Sequence, residues 1–259
     1  MSIDYYYAVL LGIVQGITEF IPVSSSGHLI ILHQWLGFAT DNSLYFDSAL
    51  NTGTLISLVL YFYKDLWNFL TKQPKVLLKM FVACVPAGLI GVLFDDFIDQ
   101  YLRATWIVIV MLVALSVVFL LVERYAKPRL NFQDIGWKEA VAMGLAQAVA
   151  LLFPGTSRSG VTLATGMSLG VQRADAARFS FMMVIPLYVA IAAKLVWDLK
   201  DAQLPSHELA TMGVGTLAAA VIGFAVIHFL LGYLRRATLR PFAYYRLGLA
   251  VVVSLLLFL

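Results

Sequence analysis

Two short stretches hold the residues whose types and spacing could do chemistry. The first reads Gln15-Gly16-Ile17-Thr18-Glu19-Phe20-Ile21-Pro22-Val23-Ser24-Ser25-Ser26-Gly27-His28. Gln15 and Glu19 stand four apart, so on a helix they share one face, and that face ends at the serine run. A carboxylate inside an apolar segment is costly and is by default a functional candidate. Ser24, Ser25 and Ser26 sit where a short helix would begin. One of them serves as its N-cap, and three exceed what a cap needs. His28 follows within one turn. The second stretch, Pro154-Gly155-Thr156-Ser157-Arg158-Ser159-Gly160, supplies a cation. The planar fork of Arg158 suits phosphate, which it binds through paired hydrogen bonds. Free backbone N–H groups at a helix start add positive potential. Brought together, these groups make a phosphate site. Two plainer readings stay open: Glu19 and Arg158 pair only to join the two stretches, and the serines only cap.

The segments around these stretches are those of a membrane protein. The chain is 61% hydrophobic and 13% charged, against about 25% charged residues in soluble domains. A hydrocarbon core about 30 Å thick needs about 20 apolar helical residues. Six segments read as spans: 44–63, 76–94, 105–122, 179–197, 209–234 and 242–259. Segments 5–21 and 139–153 differ, because each runs into a Pro/Gly/Ser break and then a short apolar piece. A helix, a break and a half-helix predict a re-entrant hairpin, whose irregular backbone must be covered by protein or line a cavity. The predicted fold is therefore all-α and polytopic, with six spans and two re-entrant helical hairpins.

The chain also repeats. An offset of 132 residues brings Gly12 onto Gly144, Gln15 onto Gln147, Pro22 onto Pro154 and Ser24-Ser25 onto Thr156-Ser157. After one inserted residue, Gly27 meets Gly160 and Leu36-Gly37 meets Leu169-Gly170. The reading is one membrane domain over 1–259 built from repeats 5–131 and 137–259. Each repeat holds one broken hairpin and three spans, and an odd number predicts an inverted-topology repeat with the binding site near mid-membrane. Loop charges agree. Lys64, Lys72, Lys75, Arg124, Lys127, Arg129, Lys138, Arg173, Arg178, Arg235, Arg236 and Arg240 fall on one side. Asp95, Asp96 and Asp99 with Arg103, and 198–208 with only Lys200, fall on the other. Basic loops are cytoplasmic, so both termini are expected outside. Trp67, Trp106, Trp137 and Trp197 lie at span ends, as an aromatic belt would.

Other residues read more plainly. The single cysteine, Cys84, allows no intramolecular disulfide and reads as a small buried hydrophobe. His33, His207 and His228 read as structural. Asp47 and Asn51 share a face that could border the site, and Arg246 reads as an anchor on the basic side. No cleavable signal peptide is evident, because the first apolar stretch lacks a basic flank and contains Gln15 and Glu19. Nothing suggests a nucleic-acid partner. The expected partners are a lipid substrate and the bilayer, with room for a homodimer.

The two quoted stretches resemble the signature motifs of the undecaprenyl-diphosphate phosphatase, or bacitracin-resistance, family. Arg178-Phe179-Ser180-Phe181 is similar to a further stretch of it. The match runs in order over nearly the whole chain. The resemblance implies hydrolysis of undecaprenyl diphosphate to the monophosphate, which recycles the carrier lipid for peptidoglycan synthesis in the bacterial inner membrane and confers bacitracin resistance. It also implies a divalent cation, Mg²⁺ or Ca²⁺. The family's acidic motif has two glutamates; Gln15 stands at the first position, and Asn51 stands where other members often have His or Gln.

The expected chemistry is in-line phosphoryl transfer. Ser25 is the first choice of nucleophile, with His28 as general base or acid; water, or His28 itself, is the competing nucleophile. Glu19 would orient His28 or, with Gln15 and Asn51, hold a cation. Arg158 would hold the diphosphate, with Ser24, Ser26, Gly27, Thr156, Ser157, Ser159 and Gly160 lining it. The rival class is a carrier: a lipid flippase or an anion carrier with a mid-membrane phosphate site.

Overall fold

The computed structural model describes residues 5–36, 43–94, 97, 101–102, 104–202 and 204–257. Eleven helices lie among them: α1 (Tyr5–Thr18), α2 (Ser25–Leu36), α3 (Ser43–Lys72), α4 (Pro74–Leu93), α5 (Thr105–Tyr125), α6 (Trp137–Leu152), α7 (Arg158–Ser168), α8 (Arg173–Met183), α9 (Ile185–Asp198), α10 (Ser206–Leu234) and α11 (Arg240–Leu257). Apart from an isolated bridge between Leu130 and Val171, the described residues contain no β-pairing. Asp95, Asp96, Asp99 and Arg103 of the loop-charge argument, and Gly37 of the repeat, lie outside the described residues.

Among the described residues, four helical stretches are long and apolar enough to cross a membrane: Pro74–Leu93, Thr105–Tyr125, Arg173–Asp198 and Ser206–Leu234. The third comprises α8 and α9, which break at Val184 with Pro186 in the first turn of α9. Proline has no N–H to continue the ladder and is tolerated at a helix start. The expected spans 44–63 and 242–259 fall in α3 and α11, which carry more polar side chains, Asp47 and Asn51 in one and Arg240 and Arg246 in the other. Outward-facing side chains are apolar over wide areas, with Leu60, Val92, Leu217, Val221 and Phe229 all exposed. So much exposed apolar surface marks contact with lipid or another apolar partner. Trp67, Trp106, Trp137 and Trp197 are exposed as well.

The 132-residue offset carries α1 onto α6, α3 onto α8 and α9, α4 onto α10, and α5 onto α11. The packing follows the same rule. Gly12 of α1 lies against the carbonyl of Gly215 in α10, and Gly144 of α6 lies against that of Ala83 in α4. The offset that takes Gly12 to Gly144 also takes Ala83 to Gly215, so the two contacts correspond. A methyl group at either glycine would collide with backbone. α5 packs directly on its counterpart α11.

The register at the breaks differs from the sequence alignment by one residue. Ser24 and Ser157, not Ser25 and Ser157, are the matched pair. Both have positive φ, 80° and 70°, and in each the hydroxyl accepts the N–H three residues on, Gly27 N at 3.2 Å and Gly160 N at 3.2 Å. The extra residue thus precedes Ser157, and Arg158 occupies the place of Ser25.

Candidate active site

Both breaks end in a serine that caps the next helix from the left-handed region, where a non-glycine residue is strained and persists only when its surroundings demand it. That geometry turns the chain sharply and points the first residues of α2 and α7, Ser25 and Arg158, out of the turn. The breaks also touch. Gly155 N–H donates to Ser26 Oγ at 3.4 Å. Gly155 has φ +91°, and a Cβ there would meet the Val108 backbone of α5 at 2.7 Å, so only glycine fits.

The centre of the site is Glu19, 5% exposed. Arg158 Nη2 donates to its Oε1 at 2.7 Å, and Tyr188 Oη of α9 donates to the same oxygen. Ser25 Oγ donates to Oε2 at 2.6 Å, and Gln15 Nε2 donates to Oε2 at 3.2 Å. Gln15 Nε2 also reaches Asn51 Oδ1 at 2.9 Å, which brings Asn51 of α3 to the site's edge. A buried carboxylate is tolerable only when paired and hydrogen-bonded, and Glu19 has both. Arg158 is tied further by Nη1 to the Ser180 carbonyl at 3.2 Å, and its guanidinium carbon lies 5.6 Å from the Tyr188 ring centroid. Its Nε is buried without an acceptor.

His28 stands elsewhere than expected. Its Nδ1 lies 2.7 Å from the Ser24 carbonyl and its Nε2 lies 2.8 Å from Tyr245 Oη, with the two rings parallel, 7° apart. Neither nitrogen bonds Ser25 or Glu19. The expectation that Glu19 orients His28 and that His28 activates Ser25 is therefore replaced by a direct Ser25–Glu19 hydrogen bond. The physical reason is that the carbonyl of the strained Ser24 takes the ring first. The other three histidines have plain partners: His33 pairs with Asp47 at 2.9 Å, His207 packs on Tyr5 and His228 meets Tyr61. Asp47 thus serves His33 rather than the site.

The other candidate lining residues divide by exposure. Ser24, Gly27, Thr156, Ser157, Ser159 and Gly160 are buried and shape the turns, whereas Ser26 is exposed. Thr156 Oγ1 donates back to the Phe153 carbonyl at 2.6 Å, and Ser159 and Ser157 hydroxyls lie 3.4 Å apart. Cys84 is buried, with Sγ 2.5 Å from the Met183 carbonyl.

Sequence reasoning missed Tyr188, Tyr245 and the burial of Arg246, and it noted Ser180 only as part of the family-like stretch Arg178-Phe179-Ser180-Phe181, with no role at the site. Ser180 Oγ lies 2.5 Å from Thr162 Oγ1, one turn beyond Arg158. Arg246 is not an interfacial anchor: it is fully buried, with Nη2 donating to the carbonyls of Met111 at 2.9 Å and Gly155 at 3.1 Å.

Among the described residues no cluster of three or more His, Cys, Asp and Glu exists. Gln15 Oε1 is nonetheless buried without a donor, beside Glu19. One carboxylate, one free amide oxygen and Asn51 are the right donor type for a hard cation that keeps phosphate and water among its ligands.

The family model described as "Bacitracin resistance protein BacA" matches residues 8–252. A protein of Rubrobacter xylanophilus named undecaprenyl-diphosphatase is 39% identical over 99% of this chain and 100% of its own. One of that name from Thermodesulfovibrio yellowstonii is 41% identical over 98% of each chain. A third, from Idiomarina loihiensis, is 39% identical over 98% of this chain and 100% of its own.

Proposed function

The chain belongs to the bacitracin-resistance BacA family, and from that premise we propose that it is a membrane hydrolase cleaving undecaprenyl diphosphate to undecaprenyl phosphate and phosphate. Bacitracin resistance follows from the family name. The observation that carries the reading is the Glu19 centre, where a hydroxyl, a carboxylate and a guanidinium from the two breaks converge. Ser25 is the nucleophile. Glu19 Oε2 accepts the Ser25 proton as Oγ bonds to the terminal phosphorus and the bridging P–O bond breaks. Undecaprenyl phosphate departs, and water then cleaves the phosphoserine ester. Arg158 offsets charge that builds on the transferred group. His28, three residues after Ser25 on α2 and backed by Tyr245, supplies a proton to the leaving oxygen. Ser26 and the N–H groups opening α2 and α7 line the phosphates.

Phosphate release from undecaprenyl diphosphate by the purified protein in detergent tests the reading. No second compartment exists there, so a carrier gives none. Sustained release is expected, and its absence would favour the flippase or anion-carrier reading.

Glu19, Gln15 Oε1 and Asn51 are the groups that would hold Mg²⁺ or Ca²⁺, which would neutralise diphosphate charge. Gln15→Glu adds a carboxylate, and carboxylates suit these cations better than amides. The variant is expected to reach half-maximal activity at lower cation concentration. A superimposable cation titration would remove Gln15 from this role.

The fold reading is six spans, two re-entrant hairpins and an inverted repeat in the bacterial inner membrane, both termini outside. The corresponding contacts of Gly12 and Gly144, and the matched caps Ser24 and Ser157, support it. Single cysteines at 72–75 in a Cys84→Ala background are expected to resist an impermeant thiol reagent added outside intact cells. Strong labelling there would invert the orientation.

A further inference from the structure

Arg246 lacks a counter-charge. Among the described residues Arg158, Arg173 and Arg178 each pair with a carboxylate, whereas Arg246 has no carboxylate partner: it reaches two backbone carbonyls and lies 5.8 Å from the centroid of the neutral Phe119 ring. It is 0% exposed, and its Nε and Nη1 have no acceptor. A guanidinium cannot shed its proton to relieve burial, so a buried one without an anion is an unmet electrostatic demand.

Its position shows which anion would meet that demand. One carbonyl it holds belongs to Gly155, whose own N–H donates to Ser26 Oγ. The Arg246 head therefore lies where the two breaks touch, beside the opening turns of α2 and α7. First-turn N–H groups lack partners within their own helix and favour anions. The neighbouring Tyr245 holds His28, which places the group on the His28 side of Ser25. Arg158, tied to Glu19, is on the carboxylate side and also leaves Nε unsatisfied. Two guanidinium groups with spare donors flank the same pair of helix starts, and a diphosphate has two phosphoryl groups.

We propose that Arg246 forms a second phosphate subsite, which takes the lipid-bearing phosphate while Arg158 takes the terminal one. The assignment of the two phosphates rests on the hydrolase reading; the subsite itself does not. Arg246 then sets selectivity for a diphosphate over a monophosphate, and it stabilises the lipid phosphate as the leaving group.

Binding to the full-length protein in detergent, at fixed Mg²⁺, tests this with methylenediphosphonate, whose P–C–P bridge resists hydrolysis, and with inorganic phosphate. The wild type is expected to bind methylenediphosphonate at least about tenfold more tightly, because two forks engage two phosphoryl groups. Arg246→Lys keeps the charge but loses the fork and is expected to bring the two affinities within about threefold, with phosphate binding little changed. Arg246→Gln keeps one donor toward the Gly155 and Met111 carbonyls and should behave alike. No preference in the wild type, or a preference intact in either folded variant, overturns the subsite. If neither variant folds, the wild-type preference alone decides. Failure of the protein to release phosphate from undecaprenyl diphosphate, with the preference intact, would sink the hydrolase reading and leave the subsite standing.

Discussion

Glu19→Gln is expected to lower phosphate release by about 10²–10⁴-fold, the span typical of losing a positioned proton acceptor. Glutamine matches glutamate in shape but replaces one oxygen with a donor. Both Glu19 oxygens accept hydrogen bonds, Oε1 from Arg158 and Tyr188 and Oε2 from Ser25 and Gln15. Whichever oxygen becomes NH₂ faces two donors. The variant also leaves Arg158 buried without its ion pair, and removing one partner of such a pair costs about 3–5 kcal/mol. Stability and catalysis should therefore fall together. The rate must be expressed per folded molecule, measured on the monodisperse fraction below its unfolding midpoint. Release within about tenfold of wild type on that basis would show that Ser25 does not pass its proton to Glu19.

Arg158→Lys is expected to reduce turnover more than about tenfold, or about 1.4 kcal/mol of barrier, although the charge is kept. Lysine can replace the contact to Glu19, but an ammonium is a point charge and cannot also hold the Ser180 carbonyl and present a planar edge to phosphate. Because the ion pair survives, thermal stability should change less than turnover. That split separates this variant from Glu19→Gln. Near-normal turnover would make Arg158 a counter-ion for Glu19 and nothing more, the plain reading that its sequence context leaves open.

The site was legible in sequence where local rules apply. Gln15 and Glu19 share a face because four residues separate them, and Ser25 and Arg158 follow breaks that Pro22 and Pro154 announce. Their convergence was legible only through the similarity of the two breaks at an offset of 132 residues, since Glu19 and Arg158 are 139 residues apart. Tyr188 was not legible. Its hydroxyl reaches Glu19 across 169 residues, and a tyrosine in an apolar segment gives no local sign of its partner. The kink at Val184, one turn before it, was the available hint, because Pro186 shows that the helix bends there. Arg246 could have been found. The rule that singles out Glu19, that a charge in an apolar segment is a functional candidate, applies equally to an arginine in α11. Position near the end of a segment suggested an anchor, and tertiary packing buries it instead. The direct pairing of His28 with Ser25 was misread for a different reason. Proximity to Ser25 in sequence suggested a pair, but strained backbone at Ser24 offers a carbonyl that the ring takes.

The contact between α1 and α10 bears on how the molecule is made. α1 ends at Thr18 and α10 begins at Ser206, so the 187 residues 19–205 must be synthesised between one and the other. At ribosomal speeds of about 5–20 residues per second, that is a wait of about 10–40 s. Throughout it Gly12 and Gly16 have no surface to nest against, and for most of it Glu19 lacks Arg158 and Tyr188, which follow it by 139 and 169 residues. The nascent helix with the most demanding polar group is thus the one whose partners arrive late, and the first half cannot mature alone. A ribosome stalled before α10 should leave α1 a client of the insertion machinery and its chaperones, and the first half expressed by itself should be cleared by membrane proteases unless the second half is supplied in trans.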